Sequence, residues 1–146
     1  MELKTAMDGI ALGTLLAEDL PEIALQSLTD GNDSPSLRQL AVSQGADSDD
    51  IRRLFAKALA ELGLIMPTPA EAGFSLAKTI AQSVLKNEIT AYSGAKRIWS
   101  EIYTRFPELD QLRSFVGLAS EYEDDENHRE EYSNDIIKKC QQLLSE

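Results

Sequence analysis

The stretch DSDDIRRLFAKALAELG, residues 47–63, decides the fold class. Its apolar residues are Ile51, Leu54, Phe55, Ala58, Leu59 and Leu62, spaced at i, i+3, i+4, i+7, i+8 and i+11. At about 3.6 residues per turn this spacing lays all six on one continuous helical face. Asp47 stands where a capping side chain accepts backbone N–H bonds. Gly63 stands where a left-handed residue ends a helix, with Leu64 expected to pack back against it.

The same grammar extends downstream. After a break at Pro67, Thr68-Pro69-Ala70-Glu71 has the form of a capping box with proline at the first helical position. The helix it opens is expected to bury Phe74, Ala77, Ile80, Ala81, Val84 and Leu85. Thr90 caps the next, whose face carries Ala91, Ala95, Ile98, Trp99, Ile102, Tyr103 and Phe106 before Pro107. Trp99 is expected in the core, against Ile80 or Val84. A helix with Leu109, Leu112, Val116 and Ala119 follows. An acidic turn from Glu121 to Asn127 leads to a last helix carrying Tyr132, Ile136, Cys140, Leu143 and Leu144.

Upstream the signals are weaker. A helix loosened by Gly9 and Gly13 is expected to about Glu18. A second has Asp19 as its cap, Pro21 in its first turn and Gly31 as its stop. Ser34-Pro35 starts a third, with Leu37, Leu40 and Ala41, closing near Gly45. Strand patterning is nearly absent, and the joining loops are short. The expectation is therefore an all-α chain: one domain, 1–146, folded as a compact orthogonal or up-and-down bundle of seven to eight helices. Gly, Ser and Asp cluster at 43–50, the weakest place for a subdomain boundary. Gly73, Gly94 and Gly117 fall inside helices, where each costs about 1 kcal/mol against Ala. Close approach of neighbouring helices is the reading favoured for them.

A chain of 146 residues buries roughly 70% of its unfolded surface, enough for a core without metal or disulfides. No apolar run has the length to cross a bilayer. Glu2 and Asp8 occupy positions where an export signal carries positive charge. Cys140 has no cysteine partner, so a reducing, cytoplasmic setting is expected. The net charge of −11 argues against nucleic acid, which demands a basic stripe to displace counterions. Residues 1–50 hold ten acids and two bases, and residues 121–146 hold nine acids and three bases. The middle, 51–120, is mildly basic, with nine bases and six acids.

Four segments carry a resemblance. They are Leu37-Arg38-Gln39-Leu40-Ala41, Ala58-Leu59-Ala60-Glu61-Leu62-Gly63, Tyr92-Ser93-Gly94-Ala95-Lys96-Arg97-Ile98-Trp99, and Phe115-Val116-Gly117-Leu118-Ala119-Ser120-Glu121 with Asp124-Asp125. In this order they resemble a group of small acidic, all-helical bacterial proteins without an assigned activity. The resemblance brings no catalytic residue and no cofactor. In charge and fold class alone, with no shared motif, the chain is also similar to bacterial immunity proteins that neutralise toxins.

Motifs for phosphate, nucleotide, acyl-transfer and zinc chemistry are missing: GxxxxGK[ST], GxGxxG, GxSxG, HExxH and CxxC do not occur. His128, the chain's one histidine, sits among Glu121, Glu123, Asp124, Asp125, Glu126, Glu130 and Glu131. As a general base it has no companion nucleophile. As a metal ligand it has a carboxylate three positions earlier, but only once, and the run lacks the order of a calcium loop. A small enzyme or metal-dependent binder using Glu121–His128 is the alternative reading, and no cofactor is expected. Lys96, Arg97, Arg105 and Arg113 either pair with the acidic ends or receive an anion. The leading expectation is a non-enzymatic interaction module that offers Glu121, Glu123, Asp124, Asp125, Glu126, His128, Glu130 and Glu131 to a basic protein partner. Membrane is not expected as a partner, and a homo-oligomer is compatible with the sequence.

Overall fold

In the computed structural model, which describes residues 1–146, the chain forms eight α-helices and no strand, as the patterning demands. They are α1 (Leu3–Leu12), α2 (Leu20–Thr29), α3 (Pro35–Ala41), α4 (Ser48–Glu61), α5 (Pro69–Leu85), α6 (Ala91–Arg97), α7 (Arg113–Asp124) and α8 (Arg129–Leu144). No helix is long and apolar enough to cross a membrane. The chain divides into two units, Met1–Ala72 and Gly73–Glu146. Residues 43–50, where composition suggests a boundary, instead join α3 to α4 inside the first unit, and those two helices pack on each other.

The core of the first unit gathers Leu3 and Met7 from α1, Leu20 and Ile23 from α2, Leu37 and Leu40 from α3, and Ile51, Phe55 and Leu59 from α4. α3 has seven residues, too few to hold a helix in water by propensity alone. Its first turn is satisfied from two directions. Ser34 Oγ accepts the Leu37 N–H at 3.0 Å. Glu61, at the end of α4, accepts the Ser36 hydroxyl at 2.7 Å and the Ser36 N–H at 2.9 Å. The Ser36 hydroxyl, then its N–H, hold the Glu61 carboxyl below its ordinary range.

Three upstream expectations are corrected. α1 stops at Leu12 and not near Glu18, because Gly13 takes the left-handed conformation (φ 78°) and turns its N–H back onto the last turn. Asp19 and Asp47 hold the N-cap positions of α2 and α4 without making a side-chain cap bond. The Asp19 carboxylate accepts the Leu16 N–H at 2.9 Å instead. Leu64 stays 40% exposed. The Leu64 N–H reaches Leu59 O at 2.9 Å, so a backbone hydrogen bond closes α4.

α5 opens on the expected capping box, with Glu71 N–H to Thr68 Oγ1 at 3.1 Å and Thr68 N–H to Glu71 Oε1 at 3.2 Å. Thr90 caps α6 by accepting the Ser93 N–H at 3.1 Å. The α6 rod then widens into a π-helical turn, Ile98–Tyr103. There Thr104 N–H reaches back five residues to Trp99 O at 3.2 Å. Ile98 and Ile102 are fully buried, whereas Trp99 is only half-buried, which corrects its assignment to the core. The Lys96 ammonium lies 4.2 Å from the Trp99 ring centroid, a cation over a π face. α7 buries Phe115 and Ala119, and Val116 is only half-buried. α7 also continues to Asp124, so the expected turn from Glu121 shrinks to Asp125–His128. α8 buries Ile136, Cys140 and Leu143, and burial pushes the Cys140 thiol up to about 11.

The internal glycines differ in their reasons. A Cβ on Gly94 would stand 2.3 Å from Val84 Cγ2, so α5 and α6 meet where no other residue fits. Gly73 faces the Phe106 ring at 3.0 Å. Nothing lies within 4 Å of the corresponding point at Gly117, so close approach does not explain that glycine. Gly94→Ala is therefore expected to cost about 1–3 kcal/mol by overpacking. Gly117→Ala is expected to stabilise by up to about 1 kcal/mol through helix propensity. Thermal unfolding followed by circular dichroism separates the two, and shifts of the same sign would contradict this account.

Candidate functional site

Eight residues between 121 and 131 were singled out by the acidic run, and the fold sorts them into two groups. Glu121, Glu123 and Asp124 ride on the last turn of α7. Asp125, Glu126 and His128 belong to the connecting turn, and Glu130 and Glu131 to the first turn of α8.

Glu123 and Asp125 are engaged. Glu123 Oε2 accepts the Tyr92 hydroxyl at 2.6 Å and the Lys96 ammonium at 2.9 Å, tying α7 to α6. Lys96 thus sits between a carboxylate and the Trp99 ring. Asp125 Oδ2 accepts His128 Nδ1 at 2.8 Å and the Tyr132 hydroxyl at 3.0 Å, and Oδ1 accepts the Asn127 N–H at 3.2 Å. Because an ionised carboxylate only accepts, the His128 proton resides on Nδ1. Tyr92 and Tyr122 stack with centroids 4.5 Å apart. Arg129 donates Nε–H to Tyr122 O at 3.0 Å and lays its guanidinium 4.7 Å from the Tyr122 ring. That cation serves a carbonyl near the C-terminal end of α7, where the helix leaves acceptors unpaired.

The remaining acids are free. Glu121, Asp124, Glu126, Glu130 and Glu131 are exposed, and their carboxylates form no ion pair or hydrogen bond. His128 is also exposed and has no nucleophile in its hydrogen-bond chain. No three His, Cys, Asp or Glu side chains come together in a way that would hold a metal ion. The arrangement is suited to presenting charge. It assembles neither a proton-transfer pair with a nucleophile nor a ligand cage.

The sequence reading offered Lys96 as a partner of the acidic ends but missed Tyr92, Tyr122, Arg129 and Tyr132 as builders of this corner. A signal existed in the helical spacing of Tyr92, Lys96 and Trp99, which puts them on one side of α6. Their acidic partner lies 27 residues beyond Lys96 and is invisible to local spacing. Of the basic set, Lys96 pairs with the acidic end, Arg97 pairs with Glu101 one turn on, and Arg105 stacks near Phe106.

No protein-family model matches the chain, and neither a curated protein sequence nor a solved structure matches it at a significant level. The likeness drawn from the four segments rests on those segments alone.

The Tyr132 hydrogen bond, with smaller help from His128, holds the Asp125 carboxyl below its usual range. The Tyr92 hydroxyl and then Lys96 do the same for Glu123. The unfolded chain therefore takes up protons first as the medium is acidified. This stabilisation is complete above the ordinary carboxylate range near pH ~4 and is lost as pH falls through the folded-state values. Tyr132→Phe and Tyr92→Phe should flatten the acid limb of stability. Urea midpoints recorded from about pH 7 to about pH 3 measure it. An unchanged acid limb in the double variant would show that neither hydroxyl holds its carboxylate.

Proposed function

We propose that this chain is a non-enzymatic interaction module, of the immunity or antitoxin kind, that captures a basic protein at the corner of α7 and α8. The observation that supports the reading is the division of labour among the acids. Two carboxylates, Glu123 and Asp125, are spent on bracing the corner through Tyr92, Lys96, His128 and Tyr132. Five others, Glu121, Asp124, Glu126, Glu130 and Glu131, remain exposed and unpaired on that braced backbone. Like charges held together repel and cost stability, so a surface that keeps them unpaired is explained by a partner that neutralises them. A fixed backbone spares that partner the entropy of ordering a loop. Long-range attraction then speeds encounter and weakens with salt.

The test is to reverse the five free acids together, as Glu121→Lys, Asp124→Lys, Glu126→Lys, Glu130→Lys and Glu131→Lys, leaving Glu123 and Asp125 in place. Partners captured from a bacterial lysate at low salt are then compared between the two proteins. The reversed protein should associate with its partner at least about tenfold more slowly, with a flatter salt dependence. The same rate and the same salt dependence would remove the corner from recognition. Retention of small metabolites alone by the parent protein would sink the interaction reading itself.

A further inference from the structure

The large exposed apolar side chains all belong to the first unit, and two of them, Met1 and Leu25, line one groove. Met1 is 57% exposed, and Leu25 on α2 is 58% exposed. Along α2 lies an open cleft of about 500 Å³, lined by Met1, Leu15, Ile23 and Leu25 with Asp19, Glu22 and Gln26. Its floor is apolar and its rim is acidic. The sequence around it is one-sided: residues 5–37 contain six acids, Asp8, Glu18, Asp19, Glu22, Asp30 and Asp33, and no Lys or Arg.

We infer that this groove is a docking site for a cationic amphipathic helix of a partner protein. An apolar stripe with anchors at i, i+3, i+4 and i+7 offers side chains that can enter an open cleft with apolar lining. The rim selects the sign of the flanking charges. Asp19 has one oxygen committed to the Leu16 N–H and the other free, and Glu22 has neither committed. With no basic residue in residues 5–37 to compete, Lys or Arg beside the stripe meets unpaired carboxylates. The same charge disfavours the other occupants of an exposed apolar strip. A second copy of the chain would oppose acid to acid, and an anionic lipid surface would be repelled. The site is separate from the α7–α8 corner in both chemistry and position in the chain. It takes apolar anchors that the corner does not offer.

The probe is a fluorescent synthetic helix of about fourteen residues made of Leu and Lys, with leucines at helical spacing. Two controls accompany it: the same residues scrambled to destroy the stripe, and a Leu/Glu version. Binding is followed by fluorescence anisotropy on the full chain and located by amide chemical shifts. The Leu/Lys helix should bind with shifts centred on residues 15–29, and Leu25→Lys with Glu22→Lys should weaken it by about tenfold or more. Both positions are exposed, so the fold tolerates the change. The five-acid reversal at the corner should leave this binding in place, which keeps the two surfaces distinguishable. Equal affinity for the scrambled peptide, binding of the Leu/Glu version, shifts centred on residues 121–132, or indifference to the paired variant would each overturn the assignment. So would self-association through residues 15–29 in sedimentation.

Discussion

A helix of seven residues does not persist in water unless its ends are satisfied and one face is covered. One of the eight helices here, α3, is that short, α6 runs only seven residues before it widens into its π-helical turn, and neighbouring elements are arranged around the needs of both. Glu61 shows the cost of the solution. A carboxylate in the last turn of α4 opposes the dipole of its own helix. It is placed there because the N–H end of α3 lies within reach, and two hydrogen bonds from Ser36 compensate. α6 is held at one end by Thr90, and further along by Lys96 and Tyr92 reaching Glu123 of α7. Where α5 crosses it, Gly94 lets the two backbones close against Val84. Each short element is thus held by groups that lie elsewhere in the chain.

This explains which features were legible in the sequence. The face of α4, the Thr68–Glu71 box and the Ser34 and Thr90 caps are local, written within a few residues of where they act. The π-helical turn at Ile98–Tyr103 is not, since a 3.6-residue period describes its sequence equally well and only the packing decides the wider turn. The extent of α7 was missed because charge was taken as a loop signal. Acids disfavour a helix C-terminus, but Arg129 and the Tyr92–Tyr122 stack hold α7 in place through Asp124. The division after Ala72 falls in the first turn of α5, close to Pro67, Pro69 and Gly73, which mark a helix start as readily as a boundary. The candidate site was half legible: its acids stood out as a run, but which of them were already engaged depended on residues up to 31 positions away.

Charge looks different once assigned to the units. The first unit holds twelve acids against five bases, and the second thirteen against nine. The densest acidic run lies in the better-balanced unit, where bases and tyrosines absorb part of it. The first unit has fewer cations to answer its acids, and it also carries the exposed leucines. Two surfaces of unlike character follow, one purely electrostatic on a braced corner and one apolar with an acidic rim.

Cys140 has a practical side. Its sulfur is sealed inside the second unit, and burial raises the thiol to about 11, so the reactive thiolate is scarce at neutral pH. Alkylating reagents consequently wait for α8 to lift away. The chain contains a built-in stopwatch: with reagent in enough excess to capture each opening, the rate at which this one sulfur becomes modified counts the openings that expose it.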